Sequence, residues 1–181
     1  MRNDDLDFLD AVARARVIER MVSEWLQARG WLILPVYDYS GLAENKAPKL
    51  LSKKLSLVTP DLLGARNGES RWVEVKWKSR ADFTRMSQRM ETGVDARLWN
   101  NYLLVQKETG IPVWIAFVHE LENEIRAEHI DILARSARHG DPQRKMSRSG
   151  MVFFAWDSLR FLARLSDVRG NLAACAARGA P

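Results

Sequence analysis

Two carboxylates and a lysine lie close together in the chain and could hold a divalent metal ion and a nucleophilic water. Asp61 follows Pro60, and Glu74 and Lys76 flank Val75 in the triplet Glu-Val-Lys. Mg²⁺ takes oxygen ligands and commonly uses one or two carboxylates together with phosphate oxygens and water. A lysine beside them could orient or help to deprotonate the attacking water, or stabilise charge on phosphate. These residue types fit metal-assisted attack of water on a phosphate.

A tight turn between the two acids sets their relative position. Asn67-Gly68 is the strongest short indication of a β-hairpin, because both residues tolerate positive φ. With these two residues as the loop, Asp61 lies directly opposite Glu74; a three- or five-residue loop would shift the register by one. Facing residues have Cβ atoms about 4.5–5.5 Å apart. Side chains alternate along a strand, so Lys76 shares the face of Glu74.

The hairpin strands are predicted at 58–63 and 71–78, with an apolar set on the face away from the acids. That set is Leu62, Val73, Val75 and Trp77. Like charges directly opposite one another are destabilising, and a bound cation would relieve that cost. The alternative is an exposed amphipathic hairpin with ordinary surface charges, in which Lys76 pairs with Glu74 or Asp61.

At these residues the sequence resembles the PD-(D/E)XK nuclease superfamily, and within it the Holliday junction resolvase-like nucleases. The central match is Pro60-Asp61, twelve intervening residues and Glu74-Val75-Lys76. Upstream, the pattern E-x-x-V-x-x-x-L-x-x-x-G of that group's first helix is similar to Glu19, Val22, Leu26 and Gly30. Downstream, its helix leading into the next strand is similar to Trp99, Tyr102, Gln106 and the segment 109–113. The resemblance covers roughly residues 8 to 120.

The resemblance implies an α/β fold with a mixed central β-sheet flanked by helices, the restriction-endonuclease-like core. It also implies cleavage of phosphodiester bonds with Mg²⁺ as cofactor, or Mn²⁺ in its place, and DNA as the usual substrate, junctions and branched forms included. Asp61 and Glu74 would be metal ligands, with the backbone carbonyl of Val75 as a further ligand. Lys76 would be the catalytic lysine. Glu19 would be the first-helix acid that contacts the metal directly or through water.

A long amphipathic helix is predicted to position Glu19. It runs from Asp5 to Arg29 and carries the apolar stripe Ile18, Met21, Val22, Trp25 and Leu26. On the residues alone, the favoured interpretation is that Glu19 faces solvent and pairs with Arg16 or Arg20, and Glu24 is the rival acid. The other predicted elements are a first strand at 31–37, a short helix or ordered loop at 81–91, a helix at 95–109 ended by Gly110, a buried central strand at 112–119, a short helix at 130–137, a last strand at 151–156 and a helix from Asp157 to Leu165.

Clusters of basic residues indicate contacts with a polyanion. The segment 40–58 is longer and more basic than the family pattern predicts, and the segment 135–148 is a basic loop. The predicted nucleic-acid contacts are Lys46, Lys49, Lys53, Lys54, Lys78, Arg80, Arg144 and Lys145. A solvated loop is the alternative for the first cluster. Trp99 and Tyr102 could stack on bases, but aromatics at helical spacing belong more often to the core.

Length and composition fit one nuclease domain at 1–168 followed by a flexible tail at 169–181. A net charge of +5 favours a polyanionic partner. The single cysteine, Cys175, excludes an internal disulfide and predicts a reducing, cytoplasmic environment. No Cys/His cluster offers a zinc site, and the histidines are interpreted as incidental. The acidic N-terminus predicts that there is no signal peptide. No run of apolar residues approaches the length of a transmembrane helix, so no membrane span is predicted.

The leading hypothesis is therefore a single-domain, Mg²⁺-dependent deoxyribonuclease. A non-catalytic nucleic-acid-binding module on the same fold is one alternative. A structural or assembly protein, with its tryptophans at an interface, is another. RNA as the substrate and a homodimer both stay open, because nothing in the sequence reads a 2′-hydroxyl or fixes the oligomeric state. Endonucleolytic and exonucleolytic cleavage are likewise not distinguished.

Overall fold

The computed structural model describes residues 3–36, 48–84, 87–139 and 150–179, with the backbone alone at 3–11, 84 and 175–179. Lys46, Arg144 and Lys145, three of the predicted nucleic-acid contacts, lie outside these residues. Within the described ranges no helix is both long and apolar enough to cross a membrane.

Twelve strands in the described residues form three sheets. They are β1 (Leu32–Pro35), β2 (Lys49–Leu51), β3 (Ser56–Val58), β4 (Leu62–Arg66), β5 (Glu69–Lys78), β6 (Asp82–Thr84), β7 (Arg89–Asp95), β8 (Val113–His119), β9 (Glu124–His129), β10 (Arg138–His139), β11 (Met151–Ala155) and β12 (Arg160–Arg164). The central sheet has the order β1-β4-β5-β8-β9-β12, a second sheet has the order β10-β11-β7-β6, and β2 pairs with β3. In the central sheet β5 and β8 are parallel and the other neighbours are antiparallel.

Four helices cover both faces of the central sheet. They are α1 (Asn3–Gln27), α2 (Ala96–Thr109), α3 (Ile130–Ser136) and α4 (Leu165–Gly179). One core cluster joins α1 and α4 to one face of the sheet. A second cluster joins α2, α3 and the second sheet to the other face. The predicted mixed central sheet flanked by helices is confirmed.

The apolar stripe of α1 is buried as its spacing predicts. Ile18, Met21, Val22 and Trp25 are each at most 7% exposed and pack against alternate residues of β4 and β5. Full burial of one such side chain stabilises a fold by about 1.5–3 kcal/mol. The stripe therefore fixes α1 on the sheet.

Local residue types account for the elements that the sequence predicted well. Asn67 and Gly68 form the turn between β4 and β5 with φ values of 51° and 81°, and Leu62 pairs with Val73 in the predicted register. The helix α2 begins after Asp95, whose carboxylate accepts a hydrogen bond from the Arg97 N–H, and it ends at Gly110 with φ 68°. The central strand β8 is buried on both faces.

Three predictions about the second half of the chain are wrong. Instead of the predicted short helix or ordered loop at 81–91, Asp82–Thr84 form β6 and residues 89–91 begin β7, because β7 pairs with β11 far along the chain. Asp157 begins no helix through Leu165: residues 156–158 form a 3-10 turn, and 160–164 form β12. The strand at 151–155 is therefore not the last. Residues 169–179 belong to α4, and Val168 and Leu172 pack in the core, whereas the flexible tail at 169–181 stays a prediction.

Gly93 allows β7 and β11 to approach closely, and we expect Gly93→Ala to destabilise the protein by about 1–3 kcal/mol. A Cβ at Gly93 would lie 2.6 Å from the carbonyl oxygen of Val152, which is backbone and cannot easily move. Gly170→Ala is the matched control, because its Cβ would meet nothing within 4 Å inside α4. That change should stabilise by about 0.5–1 kcal/mol. Urea unfolding of both variants measures the two effects, and equal values would contradict the close approach.

Candidate active site

The two predicted acids lie side by side and are buried. Asp61 directly precedes β4, and the pairing of Leu62 with Val73 places it opposite Glu74 of β5. Asp61 is 5% exposed and Glu74 is 2% exposed. The alternative of an exposed hairpin with surface charges is therefore wrong. The acids share their face of β5 with Trp72, and this face is covered by the core that includes α2 and the second sheet.

Each acid has one oxygen held by a neighbouring group. The Oδ2 atom of Asp61 accepts a hydrogen bond from the Val75 N–H at 2.7 Å. The Oε1 atom of Glu74 forms an ion pair with Nζ of Lys76. The Oε2 atom of Glu74 is buried and has no hydrogen-bond partner among the described residues. A buried carboxylate oxygen without a donor is costly, and a cation would stabilise it.

The charges in this cluster act strongly on one another. Burial, and next to it the negative charge of Glu74, raise the pKa of Asp61 well above its usual value, although Lys76 opposes the shift. Burial alone would lower the pKa of Lys76, but Glu74 and Asp61 more than offset this and raise it. Without a further cation, the cluster therefore holds a protonated lysine and favours protonation of an acid.

Glu19 of α1 belongs to the same cluster, which we call the acid cluster and which comprises Glu19, Asp61, Glu74 and Lys76. Its side chain is half-buried, and burial together with the charge of Glu74 raises its pKa to about 7, against the opposing charges of Lys76 and Arg16. The rival acid, Glu24, forms an exposed pair with Arg20 at 2.8 Å one turn along the helix. The structure thus brings Glu19, and not Glu24, into electrostatic contact with the two buried acids.

The position of the cluster follows from the lengths of the strands. β4 begins at Leu62, whereas β5 continues to Lys78, so no described strand pairs with β5 on that side beyond Val73. Lys76 is a quarter exposed at this open edge. The cluster is therefore buried at its acids and reaches solvent at its lysine.

The donor set suits a hard cation with oxygen ligands. Asp61, Glu74 and Glu19 offer carboxylate oxygens, and neither sulfur nor imidazole lies among the predicted ligands. In the part of the chain that the structure describes, no group of three or more His, Cys, Asp and Glu side chains is assembled as a metal site. The buried, unpartnered oxygen of Glu74 fits a cation. At Val75 the structure shows the N–H bonded to Asp61, and the carbonyl as a ligand stays a prediction.

The predicted nucleic-acid contacts that the structure describes fall into two groups. Lys49, Lys53 and Lys54 are exposed on β2 and the turn that follows it. Lys78 follows Lys76 on the same face of β5, where burial and the charge of Lys76 lower its pKa. Arg80 is exposed and pairs with Asp82 at 3.5 Å. Among the predicted contacts within the described ranges, Lys78 is the one whose charge interacts with that of Lys76.

The aromatic pair of α2 belongs to the core. Trp99 is 3% exposed and Tyr102 is 1% exposed. Trp99 packs against Phe154, with ring centroids 5.0 Å apart. Neither ring is available to stack on a base, so the alternative reading as core residues is the right one.

His119, which the sequence analysis set aside as incidental, lies beside Lys78 in the pairing of β5 with β8. It is fully buried, and its Nε2 atom is 3.1 Å from the Thr92 hydroxyl. Burial, with the positive charges of Lys78 and Arg126, lowers its pKa to about 4, so it is neutral at pH 7. One feature of the sequence could have indicated that His119 lies beside Lys78: it is the last residue of the predicted central strand.

The chain is similar in fold to two solved structures of nucleases. One is Hjc, a Holliday junction resolvase from the archaeal hyperthermophile Archaeoglobus fulgidus, with a TM-score of 0.48 and 10% identity over 83% of this chain and 97% of Hjc. Another is D212, a nuclease from a fusselovirus, with a TM-score of 0.43 and 12% identity over 96% of this chain and 97% of D212. No protein-family model matches the chain, and no curated protein matches it in sequence.

Proposed function

We propose that this protein is a Mg²⁺-dependent nuclease that hydrolyses phosphodiester bonds in DNA. The observation that carries the proposal is the pair of buried, facing acids Asp61 and Glu74, with Lys76 bonded to one of them. A pure binding protein gains nothing from two acids next to phosphate, because their charge repels it and their burial costs stability. A reaction that needs a divalent ion accounts for both the repulsion of phosphate and the cost of burying the acids.

Asp61, Glu74 and Glu19 would hold the ion. When bound, the ion supplies a water of lowered pKa and neutralises charge on the phosphate. The unpartnered Oε2 atom of Glu74 and the raised pKa values of Asp61 and Glu19 support this role, because a cation favours the charged form of each acid. Mn²⁺ has the same preference for oxygen ligands and should replace Mg²⁺.

Lys76 would act as a fixed positive charge at the open edge of β5. Its raised pKa keeps the ammonium protonated at neutral pH, so it stabilises developing negative charge and positions water instead of accepting a proton. The bond to Glu74 fixes its direction. Lys78, two residues along the same face, would contact the phosphate on one side of the scissile bond.

DNA as the substrate rests on charge and not on any group that reads a base. The chain carries 28 lysines and arginines against 23 acids. Lys49, Lys53 and Lys54 are exposed, and their ammonium groups can contact phosphates whatever the base sequence. Preference for a four-way junction, a flap or a plain duplex would come from the shape of this basic surface.

Cleavage of a labelled DNA panel tests the proposal. Linear duplex, single strand, flap and four-way junction are incubated with Mg²⁺, with Mn²⁺ or with EDTA. We expect cutting with either ion and none with EDTA, and the preferred member of the panel names the substrate class. Cutting that persists in EDTA would show that the acids do not serve a metal. Tight, salt-sensitive binding without cutting of any DNA would instead favour the non-catalytic binding module or an RNA substrate.

A further inference from the structure

A cavity of about 300 Å³ lies between α1 and the face of the central sheet that α1 covers. Buried or half-buried aliphatic side chains form half of its wall, among them Val22, Leu26, Ile33, Ala116 and Ala127. This volume is at the lower end of the range typical of ligand pockets. None of the described residues that line the cavity carries a carboxylate, an amide or a hydroxyl. Whatever enters it must therefore offer an apolar group.

Four arginines, three tryptophans and Gly64 complete the lining, and each arginine stacks on a tryptophan. Arg29 lies 4.0 Å from the ring centroid of Trp25. The other three form a continuous row with two tryptophans, which we call the Arg-Trp row: Arg66, Trp31, Arg71, Trp114 and Arg160. Successive members are 4.3–5.4 Å apart, measured from guanidinium carbon to ring centroid. The row crosses the sheet from the residue before β1 to the start of β12.

Stacking on a ring uses the flat face of a guanidinium group and leaves the N–H groups at its edge for an anion. Arg71 bonds to the exposed Glu69 at 2.8 Å, and Arg160 lies 3.6 Å from Glu128. Arg29 donates a hydrogen bond to the main-chain carbonyl of Trp25, and Arg66 donates one to the main-chain carbonyl of Arg29. No carboxylate in the described ranges pairs with either arginine. The lining therefore carries more positive than negative charge, pre-oriented by the tryptophans.

We propose that this cavity and the Arg-Trp row bind an acidic peptide that inserts one bulky apolar side chain. A small anion with a single head group could reach only part of a row that crosses the whole sheet, whereas a peptide presents carboxylates at intervals. Carboxylates also match the paired N–H donors of arginine. A nucleic acid also offers spaced anions, but its bases carry polar edges, and an aliphatic wall without hydrogen-bonding groups would leave them unpaired.

The peptide site is independent of the proposed nuclease activity. Arg71 and Val73 point to the face of β5 that α1 covers, whereas Glu74 and Lys76 point to the other face. The protein could thus hold a partner on one face while the acid cluster stays open. Loss of peptide binding and loss of cleavage are separate results, since they involve different residues.

Fluorescence anisotropy with a short labelled peptide tests the proposal. The probe is fluorescein-Asp-Glu-Asp-Phe-Asp-Glu, and two control peptides replace the phenylalanine by serine or the acids by their amides. We expect saturable binding of the probe and binding at least about tenfold weaker for each control. These comparisons use the unaltered protein, so they do not depend on how any variant folds.

Variants of the chain locate the site. Arg29→Gln combined with Arg66→Gln removes the two arginines that have no carboxylate partner among the described residues, and should weaken binding of the probe about tenfold or more. Ala127→Leu fills the cavity and should weaken the phenylalanine peptide but not the serine control. Arg97→Gln, an exposed arginine of α2, is the matched control and should change nothing. Circular dichroism verifies that each variant is folded.

Several results would overturn the proposal. One is the absence of saturable binding of the probe to the unaltered protein. Another is binding that the serine peptide reproduces or that the arginine double variant retains. A third is binding of a single-stranded oligonucleotide, and not of the peptide, that the double variant loses; the Arg-Trp row would then be a nucleic-acid surface.

Discussion

Lys76→Ala should lower the rate of metal-dependent DNA cleavage by about 10²–10³-fold, the usual cost of removing one preorganised charge from a reacting site. Lys76 is the ion-pair partner of Glu74, and it is the one member of the acid cluster that is both positively charged and partly open to solvent. Its loss removes the charge that faces the phosphate. It also leaves Glu74, which is 2% exposed, without its counter-ion.

Single-turnover cleavage of the preferred DNA measures this effect. Lys107→Ala, an exposed lysine near the end of α2, is the control for general loss of positive charge and should cleave as the unaltered protein does. Lys76→Arg keeps the charge and should retain part of the rate. A rate for Lys76→Ala within about threefold of the unaltered protein would show that Lys76 takes no part in cleavage, since the effect expected is at least about 10²-fold.

Asp61→Asn should abolish cleavage and yet stabilise the metal-free protein at pH 8 by about 1–3 kcal/mol, because an uncompensated buried charge is costly. Asparagine keeps an oxygen that can accept the hydrogen bond from the Val75 N–H. It removes the negative charge that lies beside Glu74 in the core. The change therefore separates what the acid does for the reaction from what it costs the fold.

The pH dependence of stability should show the same effect. The pKa of Asp61 is raised on folding, so the folded protein holds a proton there that the unfolded chain releases above about pH 4. The stability from that proton is complete below the unfolded pKa and is lost as the pH rises through the folded pKa. Glu19, with its pKa raised to about 7, extends this window to neutral pH.

Urea unfolding in EDTA across pH 4 to 8 measures the trend. The free energy of unfolding should fall with rising pH in the unaltered protein and fall less steeply in Asp61→Asn. Mg²⁺ should restore stability at pH 8 in the unaltered protein but not in the variant. Equal pH profiles for the two proteins would show that folding does not raise the pKa of Asp61.

Local sequence determined the elements that were predicted correctly. Asn67-Gly68 favours positive φ whatever surrounds it, so the hairpin and its register could be predicted. The caps Asp95 and Gly110 act within one turn of α2 in the same way. The facing position of Asp61 and Glu74 followed from the turn alone.

The second sheet could not be predicted because its strands depend on distant partners. Glu91 reads as a surface residue, yet it is buried on β7 because Arg138 of β10 forms an ion pair with it. Gly93, a poor residue for a strand, fits only because β11 lies against it. Burial of the two acids is unpredictable for the same reason, since the elements that cover their face come from later in the chain.

The alternation of β5 restricts how the chain can change in length during evolution. Its odd positions near the turn face α1 and the cavity, and its even positions face the acid cluster. Inserting one residue into the β4–β5 turn, or deleting one, would exchange these two sets between faces, and the parallel pairing with β8 prevents β5 from sliding to compensate. Changes of two residues keep the parity. Relatives of this protein should therefore vary the turn only in even steps, or absorb an odd one in a bulge.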